Sequence, residues 1–207
     1  MIIKTLNMGV FQVNSYLVTD EGSKEAVLID AGGDYDATIK AAQELGVEIK
    51  YLLNTHAHMD HIAGDEELQR KNGVKVFLNK EDEVMLGVFK QYLKMFGMPD
   101  YEVPKIDEYL EDGQELIFDN LKFKVISTPG HSNGGVSFLI DDILFSGDTI
   151  FFESVGRTDL YGGDYKKLEN SIKTKIFTLD DNVKIYPGHG QPTTVGNEKK
   201  NNPYIKP

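Results

Sequence analysis

The sequence predicts an α/β protein, and three observations carry that expectation. Short apolar runs of strand length alternate with stretches whose apolar residues recur at helical spacing. Gly, Pro, Asn and Asp stand where those runs must stop. Several runs end in a glycine-containing turn that carries a histidine or an aspartate, and ligands of open α/β sheets sit beyond such strand ends.

In chain order, a strand is expected over 14–19 and another over 25–29, the second ending at Asp30-Ala31-Gly32-Gly33. Residues 35–45 put Ile39, Ala42 and Leu45 on one helical face, with Gly46 as the stop. A strand over 49–53 runs into a histidine cluster, a helix over 62–71 closes at Asn72-Gly73, and a strand follows over 74–78. Residues 81–96 read as a helix with Val84, Val88, Tyr92 and Met95 on one face. Gly97-Met98-Pro99 breaks it, and an irregular stretch continues to Gly113. We read 81–113 as a lid-like insertion in a single domain over 1–207, because it is too short and too polar to own a core. Further strands are expected over 116–118, 123–127, 136–140 and 143–146, then a helix over 166–177 and a last strand over 183–186.

Composition narrows the function classes. The 22 basic and 33 acidic residues leave a net charge of -11, which repels phosphate backbones, so no nucleic-acid partner is expected. With 40% hydrophobic residues a sizeable core is expected. There is no cysteine, which excludes disulfides, thiolate metal sites and a cysteine nucleophile. No stretch is long and apolar enough for a membrane span or a signal peptide, so a cytoplasmic protein without membrane partners is expected.

The chemistry-bearing residues cluster. Thr55-His56-Ala57-His58-Met59-Asp60-His61 holds three histidines and an aspartate. His131 follows an apolar run in Ser127-Thr128-Pro129-Gly130-His131, and His189 follows another in Tyr186-Pro187-Gly188-His189. Asp148 has the same setting in Phe145-Ser146-Gly147-Asp148. One histidine alone reads as a surface or core residue, and Gly-Asp alone reads as a turn. Together they read as a metal centre, because all 5 histidines of the chain are then accounted for. Imidazole suits zinc and iron, and a carboxylate can bridge two ions. These candidate ligands exceed the four of a single tetrahedral site, whereas two ions roughly 3.5–4 Å apart would use them all.

His56-Ala57-His58-Met59-Asp60-His61 resembles the H-x-H-x-D-H signature of the metallo-β-lactamase superfamily, and His131, Asp148 and His189 follow in that family's order. The resemblance covers nearly the whole chain. It implies an αββα sandwich of two mixed β-sheets flanked by helices. It also implies that His56, His58 and His131 hold one ion, that Asp60, His61 and His189 hold a second, and that Asp148 bridges them. The ions implied are divalent, zinc first, with iron or manganese as the other candidates. Gly156-Arg157-Thr158-Asp159-Leu160 and Pro192-Thr193-Thr194-Val195-Gly196-Asn197-Glu198 resemble the short, glyoxalase II-like members, which are hydroxyacylglutathione hydrolases. The chain stops soon after Asn202-Pro203-Tyr204 and lacks the glutathione-binding motif of long glyoxalase II proteins, so a broad thiol preference is expected.

The expected activity is hydrolysis of a small hydroxyacyl thioester by a metal-bridging hydroxide, with Asp60 and Asp148 as the catalytic carboxylates. A thiol of pKa about 8.5 leaves without a proton donor, which disfavours an amide substrate in a chain with no spare histidine. The alternatives are a persulfide dioxygenase, whose single iron would use His56, His131 and Asp148, and a non-enzymatic metal-binding module. The oligomeric state is left open. Among lesser features, Asp30 reads either as a turn residue or as one that orients a ligand. Arg157 and Asp159 read as a loop-stiffening pair. Lys199 and Lys200 read as solvated lysines, and Met85, Met95 and Met98 as packing of the insertion.

Overall fold

The computed structural model describes residues 1–206. It divides into two compact units, Met1–Leu110 with Ile117–Leu121, and Glu111–Leu116 with the chain from Lys122 onward. Each unit is built on a six-stranded mixed sheet.

The first sheet contains β1 (Ile2–Met8), β2 (Val13–Thr19), β3 (Glu25–Ile29), β4 (Glu48–Leu53), β5 (Lys75–Asn79) and β6 (Glu108–Leu110), in that spatial order. β1, β2 and β3 pair antiparallel, and β3 to β6 run parallel. Parallel neighbours need crossovers, and helices supply the first two. α1 (Tyr35–Leu45) joins β3 to β4, while α2 (Met59–Ile62) and α3 (Asp65–Asn72) join β4 to β5. The Asp34 side chain accepts the Ala37 N–H at 3.0 Å and starts α1. α1 and α3 then bury Ala41, Ala42 and Leu68 against Leu17, Leu28, Leu52 and Val76 of the sheet.

The expected helix over 81–96 is instead a 3-10 turn (Lys80–Asp82), α4 (Glu83–Leu86) and α5 (Phe89–Met95), interrupted at Gly87-Val88. The apolar face read from the sequence is also displaced. Met85, Phe89 and Leu93 are the buried residues, whereas Val84 and Met95 are exposed. β6 lies inside the stretch expected to be irregular. Of its three residues only Leu110 is buried, too little for an alternation to be visible.

The second sheet has the order β14 (Thr193–Thr194), β13 (Lys184–Pro187), β10 (Ile143–Gly147), β9 (Val136–Ile140), β8 (Leu121–Ser127) and β7 (Glu115–Phe118). β10 and β13 are parallel, and β8, β9 and β10 are antiparallel. A small hairpin of β11 (Ile150–Phe151) and β12 (Ser154–Val155) follows β10. α6 (Tyr165–Ser171) passes into a π-helical turn (Ile172–Ile176), and α7 (Val195–Asn201) ends the fold. Asp164 caps α6 by accepting the N–H groups of Lys166 and Lys167 at 2.9 and 3.1 Å. Leu168, Ile172 and Ile176 pack with Leu144, Ile185 and Val195 into this unit's core. Two mixed sheets flanked by helices make this the fold that the sequence predicts.

Candidate metal centre

The first ligand segment is the loop from β4 into α2. Its anchor is Asp30, buried at the end of β3 and held at φ 55°, a left-handed conformation that aspartate tolerates. Oδ1 of Asp30 accepts the Thr55 N–H at 2.8 Å, and Oδ2 accepts the Thr55 hydroxyl at 2.8 Å and His61 Nδ1–H at 2.8 Å. A carboxylate only accepts, so His61 carries its proton on Nδ1. Thr55 donates to Asp30 and therefore accepts from His56 Nδ1, 3.0 Å from its oxygen. Both rings thus turn Nε2, with its lone pair, toward a ligand. Asp30 therefore fixes Thr55 and the ring of His61, a candidate ligand, and is more than the turn residue that was one of its two sequence readings.

Alternation organises the same segment. His56 and His58 lie edge to face with ring centroids 4.7 Å apart, and His56 and His61 are 4.1 Å apart. Between them, Ala57 and Met59 point into a cluster with Met85, Phe89 and Leu93 of the insertion. Further along, Asn54 Nδ2 donates to Asp65 Oδ2 at 2.6 Å, both residues being fully buried. Burial pushes the Asp65 carboxyl well above the usual carboxylate range. The Asn54 hydrogen bond opposes this, the Asp30 charge reinforces it, and His61 opposes it.

The second unit supplies Asp148, His131 and His189 from the turns after β10, β8 and β13. Oδ2 of Asp148 lies 3.4 Å from His131 Nε2 and 3.6 Å from His189 Nε2. His131 Nδ1–H donates to the Arg157 carbonyl at 2.7 Å, which again leaves Nε2 for a ligand. The segment that makes this bond can approach only because of Gly156. A Cβ there would lie 1.8 Å from the Asp148 carbonyl oxygen and 3.1 Å from His131 Nδ1. The Arg157 side chain does pair with Asp159, with bonds of 2.7 and 2.8 Å, and holds that carboxyl down at about 2. Sequence reasoning found the pair and missed the carbonyl, because a backbone acceptor has no signature in side-chain identity.

Candidate ligand atoms gather in three groups: His56, His58 and His131; His56, His61 and Asp148; and Asp60, His61 and His189. Within each group they lie within 4.8 Å of one another. Every expected ligand belongs to at least one group. The first group is buried throughout, whereas His189 and Asp60 keep 27% and 16% of their side chains exposed, so the third group is the one open to solvent. Imidazoles, three of them (His56, His61 and His131) with Nδ1 tied back, joined by carboxylates, are a donor set that fits divalent zinc, iron or manganese. They form candidate metal-binding clusters of the kind that a dinuclear hydrolase carries.

Lys199, read from the sequence as a solvated lysine, is paired instead: its Nζ donates to Asp181 Oδ1 at 2.5 Å and to the Leu179 carbonyl at 3.2 Å. Among the described residues, no helix is long and apolar enough to cross a membrane.

Known proteins resemble this chain along its length. Hydroxyacylglutathione hydrolase GloC of Haemophilus influenzae is 34% identical over 209 residues, covering 99% of this chain and 98% of the relative. The crystal structure of BLEG-1 B3 metallo-beta-lactamase matches with a TM-score of 0.90 and 34% identity, over 100% of both chains. That of TTHA1623 in a di-iron-bound form matches with a TM-score of 0.89 and 34% identity, over 98% of this chain and 100% of its own. The metallo-beta-lactamase superfamily pattern itself matches residues 8–189, from the end of β1 to the last histidine of the ligand groups, and the chain belongs to that superfamily.

Proposed function

We propose that this protein hydrolyses small hydroxyacyl thioesters and uses two divalent metal ions, zinc first among them, to do so. His56, His58 and His131 would hold one ion, Asp60, His61 and His189 the other, and Asp148 would bridge. The observation that carries this reading is the position of Asp148. A single carboxylate oxygen faces His131 Nε2 at 3.4 Å and His189 Nε2 at 3.6 Å, one histidine from each proposed set. The similarity to a hydroxyacylglutathione hydrolase supports the substrate class, and the di-iron-bound form of TTHA1623 supports two ions.

When bound, such ions supply a hydroxide nucleophile near neutral pH and polarise the carbonyl that it attacks. The protein's own residues do the rest. Asp30 and Thr55 fix the rings of His61 and His56 through Nδ1, and the Arg157 carbonyl fixes that of His131. Asp60 and His189, half-buried where the first group is buried throughout, mark the side from which the substrate would enter. All 5 histidines are taken as ligands, which leaves no imidazole to protonate a leaving group. A thiol of pKa about 8.5 departs as thiolate and asks for none.

The test uses the metal-loaded protein on S-lactoyl-glutathione, on a β-lactam, and on glutathione persulfide with oxygen monitored. Thioester cleavage is expected to dominate. Oxygen uptake without thioester cleavage, or faster β-lactam opening, overturns the proposal.

A further inference from the structure

Asp82 lies 25 positions beyond the Ala57 amide that it binds, in the 3-10 turn after β5, and it is 1% exposed. Its Oδ2 accepts the Ala57 N–H at 3.0 Å. Ala57 separates His56 from His58, so this bond holds the peptide between two imidazoles whose rings meet edge to face at 87°. Rotation of that peptide would swing both rings.

The acceptor is itself held in place. Asn79 Oδ1 accepts the Glu81 N–H at 2.9 Å and Asn79 Nδ2 donates to the Leu110 carbonyl at 3.0 Å, which fixes the turn at the end of the sheet. The Ala57 methyl packs with Met85, Phe89 and Leu93 on the helices that follow the turn. The 3-10 turn therefore holds the Ala57 backbone, while α4 and α5 only pack against its methyl group.

We propose that Asp82 is a positioning residue for the first metal site, setting the angle between the His56 and His58 rings from outside the ligand motif. This rests on the reading of His56 and His58 as ligands of one ion and is independent of the substrate. A buried carboxylate on a backbone N–H is a strong, directional acceptor, and removal of partners that orient ligands lowers metal affinity about 10–100-fold.

The experiment measures binding of the first cobalt(II) ion by chelator competition, together with the visible absorption bands of the cobalt-loaded protein. Asp82→Leu is expected to weaken binding about 10–100-fold and to shift the bands. Asp82→Asn keeps an oxygen acceptor and is expected to stay within about threefold of the parent with unshifted bands. Leu93→Ala loosens the same cluster without touching the Ala57 bond, and it is expected to lower stability while keeping affinity and bands. Should Asp82→Leu fail to fold, Asp82→Glu displaces the acceptor by one methylene and is expected to shift the bands. Equal weakening by Asp82→Leu and Leu93→Ala, or an unshifted spectrum in the Leu and Glu variants, overturns the inference. Absence of thioester cleavage by a parent protein that binds cobalt normally would overturn the proposed activity and leave this inference standing.

Discussion

At the scale of the residue, the candidate ligand rings of His56, His61 and His131 are oriented by acceptors outside the ligand groups. Asp30 serves three donors from two parts of the ligand segment. Asp30→Asn puts an amide where His61 needs an acceptor, and it should cost about 10–100-fold in metal affinity; calorimetric titration with zinc checks this, and unchanged affinity would refute it. Asp148→Ala should lose metal and turnover together, while Asp148→Asn should retain part of the metal and stay inactive; normal turnover in either variant sinks the bridging role. Asp65 gives a prediction in pH. Its folded pKa is raised, chiefly by burial, so the folded state holds the proton more tightly than the unfolded chain. The stabilisation is complete below the unfolded value of about 3.9 and is lost as pH rises toward the folded value. Asp65→Asn removes that loss and keeps an amide facing Asn54. Its melting temperature relative to the parent should therefore improve as pH rises from the unfolded value toward the raised folded one. Parallel curves for the two proteins would show that the carboxyl does not titrate between the states.

At the scale of the element, α5 is buried at one end and reaches the surface at the other. Phe89 and Leu93 of α5 are buried beneath the ligand loop, whereas Phe96 at its end is exposed and meets Phe11 of the β1–β2 turn edge-on, with centroids 6.0 Å apart. Phe89→Ala should destabilise the fold by about 3–5 kcal/mol, measurable by urea unfolding. Phe96→Ala removes an exposed ring and should raise KM for the thioester with metal content unchanged. Equal KM in the two proteins would make this end of α5 a passive surface. The loop after the β11–β12 hairpin is set by space. Gly156→Ala would drive a methyl group into the Asp148 backbone, so it should cost metal binding even though alanine brings no charge. Metal analysis after gel filtration decides this, and a full metal complement in that variant would show that the loop can yield.

At the scale of the whole molecule, the candidate ligands are far apart in sequence, from His56 to His189, yet their ligand atoms fall within 4.8 Å of one another in each group. Ions that bind the folded state alone stabilise it by mass action, by about 2.7 kcal/mol at a hundredfold excess over Kd. Close to two ions per chain are expected when metal is plentiful, and chelation should lower the melting temperature, with zinc restoring it. One ion per chain with an unshifted melting temperature would contradict the dinuclear reading.

What the sequence determined by itself is whatever depends on local pattern. β3, α1 and β9 run as their apolar spacing and punctuation predict. The histidines and aspartates pointed to the candidate metal-binding clusters because so dense a group has few other uses. Tertiary structure decided what depends on distant partners. β1 has a single buried residue, Met8, and becomes a strand by pairing with β2. α7, polar in sequence, is anchored by a buried Glu198 that accepts from Thr193, Asn197, Asn202 and the Glu153 backbone. Asp82 stands in Lys80-Glu81-Asp82-Glu83, where nothing in the sequence marks it out until the fold brings Ala57 to it. An acceptor's role is set by the donor that reaches it, and here that donor lies 25 positions away.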